Sequence, residues 1–143
     1  MDGTPPPEGP TIRVLLADDH NVLRAGLRAI IEAQPDMTVV GEAADGVEAV
    51  AAAHTLRPDV VVMDVNMPRM DGVEATRRLR IEIPLIRVVV LSMHEGTAIA
   101  EEVKEAGASA FVPKTGAFED LSATIRFVAR ARALPEGRPG SEG

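Results

Sequence analysis

Residues 60–64 read Val-Val-Val-Met-Asp: four apolar residues, three of them β-branched, closed by a carboxylate. The run has no polar alternation, so a strand made from it must be covered on both faces, as strands of a parallel sheet are. Val14-Leu15-Leu16-Ala17 and Val88-Val89-Val90-Leu91 read the same way. With Met37–Ala43 and Ala110–Val112 they predict five strands, at 12–17, 37–43, 60–63, 88–91 and 110–112. Apolar residues between the strands recur at helical spacing instead. Leu23, Leu27 and Ile30 share one face, as do Ile99, Val103 and Ala106, and in the last helix Phe118, Leu121, Ile125 and Val128. Pro35, Pro58, Pro84 and Gly107 supply helix stops. Five alternating β–α units predict an open, doubly wound α/β sheet.

Composition narrows what such a domain can do. The chain has 143 residues and a net charge of −7, from 15 Lys+Arg against 22 Asp+Glu. That balance argues against nucleic-acid binding by this domain itself, because such binding needs cations to neutralise phosphates. Three Phe, with no Tyr or Trp, leave no stacking platform for single strands. No cysteine means no disulfide framework, thiolate metal site or thiol nucleophile. No apolar run approaches the roughly 20 residues of a membrane-spanning helix. The expected organisation is a domain over residues 11–133. Residues 1–10, rich in Pro, Gly and acid, are expected to be a flexible tail, and residues 134–143 a second tail or the start of a linker.

In doubly wound sheets the ligand site lies beyond the carboxyl ends of the strands. There the first strand runs into Asp18-Asp19, the third into Asp64, the fourth into Ser92 and the fifth into Lys114. Taken singly these residues are unremarkable, since an Asp after a strand is often a helix N-cap and a lone Lys a solvated side chain. Taken together they converge on one sheet edge. Three carboxylates there repel one another unless a cation joins them, and an oxygen-only set without His or Cys suits Mg²⁺. Magnesium at one or two carboxylates commonly takes a phosphate oxygen as well, which invites a phosphoryl group. Lys114 would supply a positive charge to that group and Ser92 a hydrogen bond.

The segments VLLADDH, DVVVMDVNMPRMDG, VVVLSMHE and GASAFVPK resemble those of receiver domains of two-component response regulators, over about Ile12 to Arg132. The Asp-Asp-His start, with Arg24 and Gly26 following, is most similar to the NarL/FixJ type. The resemblance implies a flavodoxin-like (CheY-like) sheet of order 2-1-3-4-5 with five helices. By position, Asp64 resembles the phospho-acceptor and Asp18 and Asp19 the acidic pair that holds Mg²⁺. Asn66 resembles the position whose backbone carbonyl also ligates the metal. Ser92 resembles the hydroxyl switch, Phe111 the aromatic switch and Lys114 the family's lysine. One departure is that Thr115, not Pro, follows Lys114, while Pro113 precedes it.

The resemblance also implies a cytoplasmic phosphoprotein that takes a phosphoryl group from a sensor histidine kinase and loses it slowly by autodephosphorylation, without being an enzyme in the turnover sense. Receivers of this type usually precede a DNA-binding helix-turn-helix output domain, which is not expected within these 143 residues; a stand-alone regulator acting through protein contacts is the alternative. A magnesium-dependent aspartyl phosphatase of the haloacid dehalogenase type fits less well, because it wants Asp where Asn66 stands. On helical phase, Phe127 falls opposite the core face of the last helix, and Val22, Ala25 and Ala29 form a similar stripe on the first. Self-association through those two helices, or docking of an output domain there, is therefore expected.

Overall fold

The computed structural model describes residues 11–93 and 97–133; the two expected tails lie outside the described residues. The elements alternate as the apolar runs require. They are β1 (Ile12–Ala17), α1 (Asn21–Glu32), β2 (Met37–Ala43), α2 (Gly46–Leu56), β3 (Val60–Asp64), α3 (Gly72–Glu82), β4 (Arg87–Ser92), α4 (Thr97–Ala106), β5 (Ala110–Pro113) and α5 (Ala117–Ala133). A single 3₁₀ turn, Lys114–Gly116, joins the last two. All strand pairs are parallel and the order is β2-β1-β3-β4-β5, the doubly wound order expected. Pairing of β1 with β2 slips by one residue between Val14 and Leu15.

Strand alternation divides the core into two layers. Leu15, Ala17, Val61, Met63, Val88 and Val90 point to the side covered by α2, α3 and α4, where Ala49, Ala53, Val73, Leu79 and Val103 meet them. Val14, Leu16, Val60, Val62, Val89 and Leu91 point to the other side, against Leu27 and Ile31 of α1 and Leu121, Ile125 and Val128 of α5. The central strand β3 is buried along its whole length, Asp64 included. Each fully buried Val contributes about 1.5–3 kcal/mol of transfer free energy, enough to make this unalternating run decisive for the fold.

Helix ends follow local chemistry. Asp45 and Asp71 cap α2 and α3, each accepting a hydrogen bond from the backbone N–H three residues on, at 2.8 Å and 2.9 Å. Gly107 closes α4 with φ +107°, a conformation open to glycine at little cost.

Two side-chain expectations need correction. Phe118 is not part of the core face of α5: it is 51% exposed, while Leu121, Ile125 and Val128 are buried. It has the right angular phase but sits in the first turn, where its ring leans over Gly26 of α1; a Cβ on Gly26 would lie 3.0 Å from a ring carbon. On α1, Leu27 and Ile31 are the buried residues, whereas Ile30 is only half-buried.

Candidate functional site

β3 and β4 end on the chemistry itself. Asp64 closes β3 opposite Leu91, Ser92 closes β4 opposite Pro113, and Lys114 follows directly. Parallel register therefore lines up a carboxylate, a hydroxyl and an ammonium along one edge. Asp18 enters from the adjacent strand, its N–H donating to Ala43 O at 3.0 Å. Asp18, Asp64, Ser92 and Lys114 are all buried, whereas Asp19 is open to solvent.

Lys114 Nζ lies 3.1 Å from Asp64 Oδ2 and 3.3 Å from Asp18 Oδ2. One buried ammonium is thus shared by two buried carboxylates. Burial, and then the neighbouring Asp18 charge, push the Asp64 carboxyl above its ordinary pKa, and Lys114 pulls it back only in part. Although both Oδ2 atoms are near the ammonium, neither has a well-directed hydrogen-bond donor. Two buried acceptors left in that condition are costly, and a divalent cation would satisfy them. Ligand atoms of Asp18, Asp19, Asp64 and also His20 lie within 4.8 Å of one another, close enough to converge on one ion. The residues present fit a metal.

The surrounding loops hold this arrangement from the backbone. The N–H of Asn66 donates to Asp64 Oδ1 at 3.3 Å, and the N–H of His20 to Asp18 Oδ1 at 2.8 Å. Arg24 donates to the Asp18 carbonyl oxygen and, through Nε, to Glu42 Oε1 at 2.7 Å, tying the β1–α1 loop to β2. After β3, the N–H of Gly72 donates to Val65 O at 2.8 Å. The backbones are so close there that a Cβ on Gly72 would lie 2.0 Å from the Asp64 carbonyl oxygen. The same loop is fixed to α2 by the N–H of Gly46 on Met70 O at 3.0 Å and by Arg69 Nε on Asp45 Oδ2 at 2.8 Å. Asn66 is exposed at the mouth of the site. Phe111 is half-buried on β5 and packs against the layer under α4.

A family model described as the response regulator receiver domain matches residues 14–126. The chain belongs to that family. Among curated relatives, the response regulator protein VraR of Staphylococcus aureus is 37% identical over 126 residues, covering 88% of this chain and 60% of the relative. The receiver domain thus spans about three fifths of the length of such relatives. Among solved structures, a LuxR-family two-component response regulator from Aurantimonas sp. SI85-9A1 is 40% identical, with TM-score 0.81, covering 85% of this chain and 87% of that one. The response regulator domain of Thermotoga maritima CheB is 38% identical, with TM-score 0.78, covering 87% and 98% respectively. One receiver fold therefore serves proteins of different description.

Within this receiver domain the structure brings Asp18, Asp19, Asp64, Ser92 and Lys114 to one edge with Asn66 at its mouth, while Phe111 sits further back on β5, opposite Val90 and packed under α4. Sequence reasoning missed two participants. The expected donor set excluded histidine, yet His20 Nδ1 lies 3.1 Å from Asp18 Oδ1, 3.4 Å from Asp19 Oδ1 and 3.8 Å from Asp64 Oδ2. Arg24, in the sequence only a mark of the family resemblance, anchors the loop that carries both aspartates. Their closeness to Asp18-Asp19 in the sequence was the available signal. Among the described residues, all peptide bonds are trans, Lys114–Thr115 included, and no helix is long and apolar enough to cross a membrane.

Proposed function

We propose that Asp64 is the phospho-acceptor of this receiver domain and that Asp18, Asp19 and Asp64, with the backbone carbonyl of Asn66, hold Mg²⁺. The observation that carries this reading is a buried Asp64 that shares one lysine with Asp18, their Oδ2 atoms ion-paired to it without a well-directed hydrogen-bond donor. Bound there, Mg²⁺ would offset negative charge on the transferring phosphoryl oxygens.

The chain's own residues do the rest. The Asp64 carboxylate attacks phosphorus of a phosphohistidine on a sensor kinase; a P–O bond forms and the P–N bond breaks. Asp64 is its own nucleophile, so no general base is required. Phosphoryl transfer passes through a loose transition state and needs positioning more than acid–base chemistry. Positioning comes from the Asn66 N–H on Asp64 and from the Arg24 anchor on Asp18. Lys114 meets a phosphoryl oxygen, and the Ser92 hydroxyl donates to another. Movement of Ser92 toward the phosphoryl group opens space for Phe111 to turn inward, shifting the population of the α4–β5 surface. Water attack on the acyl phosphate ends the signal, with Asn66 beside its path.

The output of the longer protein is a DNA-binding helix-turn-helix domain in this reading, a choice supported by the LuxR-family likeness. Self-association runs through α1 and α5, where Val22 is 89% and Phe127 73% exposed. The test is incubation with acetyl phosphate and Mg²⁺ followed by intact mass. A single added phosphoryl group, lost in Asp64→Asn, is expected; addition that persists in Asp64→Asn overturns the assignment.

A further inference from the structure

β2 holds the backbone of Asp18 at both of its polar groups. The Asp18 N–H donates to Ala43 O at 3.0 Å. The Asp18 carbonyl oxygen accepts from Arg24, whose guanidinium is held in turn through Nε, at 2.7 Å, by Glu42, the residue before Ala43. The remaining nitrogen, Nη2, donates to Asn21 Oδ1 at 2.9 Å. All three nitrogens of a planar, rigid fork are thus engaged, and the Arg24 side chain is only 16% exposed. Arg28, one helical turn beyond Arg24 on α1, donates to the other carboxylate oxygen of Glu42. With Arg28 and Arg24 beside it, the Glu42 carboxyl lies below the usual carboxylate range and is charged near neutral pH. The peptide that receives this chain of contacts is the one joining Asp18 to Asp19. Asp18 is buried and further fixed by the His20 N–H, but Asp19 is open to solvent, so the plane of that peptide decides where the Asp19 carboxylate points.

We propose that Glu42 is a positioning residue of the candidate site: acting through Arg24, it sets the plane of the Asp18–Asp19 peptide and with it the reach of both carboxylates toward a shared cation. The proposal rests on the reading of Asp18 and Asp19 as Mg²⁺ ligands. An isolated surface ion pair contributes little to stability, so the value of this one lies in geometry. Without Glu42, Arg24 Nε loses its acceptor and the guanidinium is free to turn away, leaving the Asp18 carbonyl without a fixed donor. Mg²⁺ demands near-ideal octahedral geometry at about 2.0–2.1 Å, so a small displacement of one carboxylate is felt. Groups that orient metal ligands from outside typically change metal affinity by about 10–100-fold. Glu42 itself touches no reacting atom. β2, which supplies none of the site's own side chains, enters its function in this way.

The test is an NMR titration of the whole chain with Mg²⁺, following the Asp19 amide in wild type, Glu42→Ala and Asp36→Ala. Asp36 is the control. Just before β2, at the opposite edge of the sheet, it accepts from Arg126 at both carboxylate oxygens, each at 2.8 Å, so Asp36→Ala removes a comparable ion pair away from the site. In Glu42→Ala the Asp19 amide resonance of the metal-free protein should move, and the Mg²⁺ midpoint should rise by about tenfold. In Asp36→Ala both should stay at their wild-type values. In an Arg24→Ala background, Glu42→Ala should raise the midpoint no further, because its effect passes through that guanidinium. A wild-type resonance or midpoint in Glu42→Ala, equal changes in Asp36→Ala, or an additive loss in the double variant overturns the proposal. If wild type itself shows no Mg²⁺ response, the metal reading falls, and the metal-free Asp19 resonance then decides the role of Glu42. If acetyl phosphate still adds a phosphoryl group to Asp64→Asn while the midpoint shifts in Glu42→Ala, the phospho-acceptor reading falls and the Glu42 role stands.

Discussion

Replacing Lys114 with methionine keeps most of the side-chain volume and removes the one ammonium shared by Asp18 and Asp64. At 3.1 Å and 3.3 Å, each pairing is worth about 5 kcal/mol of attraction with an effective dielectric constant of about 20. Burying the ammonium, whose side chain is 3% exposed, gives back several kcal/mol of that gain. The expected net loss for breaking such a buried arrangement is about 3–5 kcal/mol. A domain of this size loses roughly 3–5 °C in Tm per kcal/mol, so Lys114→Met should melt about 10–20 °C lower in metal-free buffer. Thermal unfolding followed by circular dichroism reads this directly. In an Asp64→Asn background the same substitution leaves one buried carboxylate rather than two facing each other, so its cost should shrink. A Tm within about two or three degrees of wild type, or a loss just as large in the Asp64→Asn background, would refute the shared-cation account.

Asp64→Asn should itself raise Tm at neutral pH without divalent ions, because its carboxyl is held above its ordinary pKa by burial and by Asp18. The sign follows from linkage: the folded state binds this proton more tightly than the unfolded chain, so wild-type stability falls as pH rises from the ordinary carboxylate pKa through the folded one. The advantage of Asp64→Asn should accordingly fade as pH drops toward the ordinary carboxylate range, which melting curves between neutral and acid pH would show. Phe127→Glu should convert any dimer to monomer in sedimentation velocity while leaving Tm unchanged, since the side chain is 73% exposed; a large fall in Tm would mean that the residue is packed within its own domain.

Much of this architecture could be read from the chain alone. Runs such as Val60–Met63 state both strand and burial, because only a strand covered on two faces tolerates them. The strand ends fell within a residue because each run stops at a group that cannot be buried unpaired: Asp64, Ser92 and the Pro113-Lys114 pair. Part of what escaped depends on distance along an element rather than on angle around it. Phe118 shares the angular phase of Leu121, yet one turn of helix is enough to move it from the sheet to a perch over Gly26. His20 escaped for a chemical reason. A hard-ion site was inferred from the carboxylates alone, and only the turn into α1 swings that ring back among them.

Gly46 and Gly72 carry no functional group, yet each sits where a methyl would collide with a backbone oxygen, of Met70 at 2.1 Å and of Asp64 at 2.0 Å. In a saturation screen for signalling, both positions would score as intolerant as an acid of the site. The cause would be displacement of the Asp64 peptide and of the loop behind it, with every reactive atom still present. A ranking of positions by lost signal therefore mixes two kinds of residue here, those that meet the phosphoryl group and those whose smallness lets the chain pass. Telling them apart takes a second axis, such as protein abundance or metal affinity, on which the glycines and the acids separate.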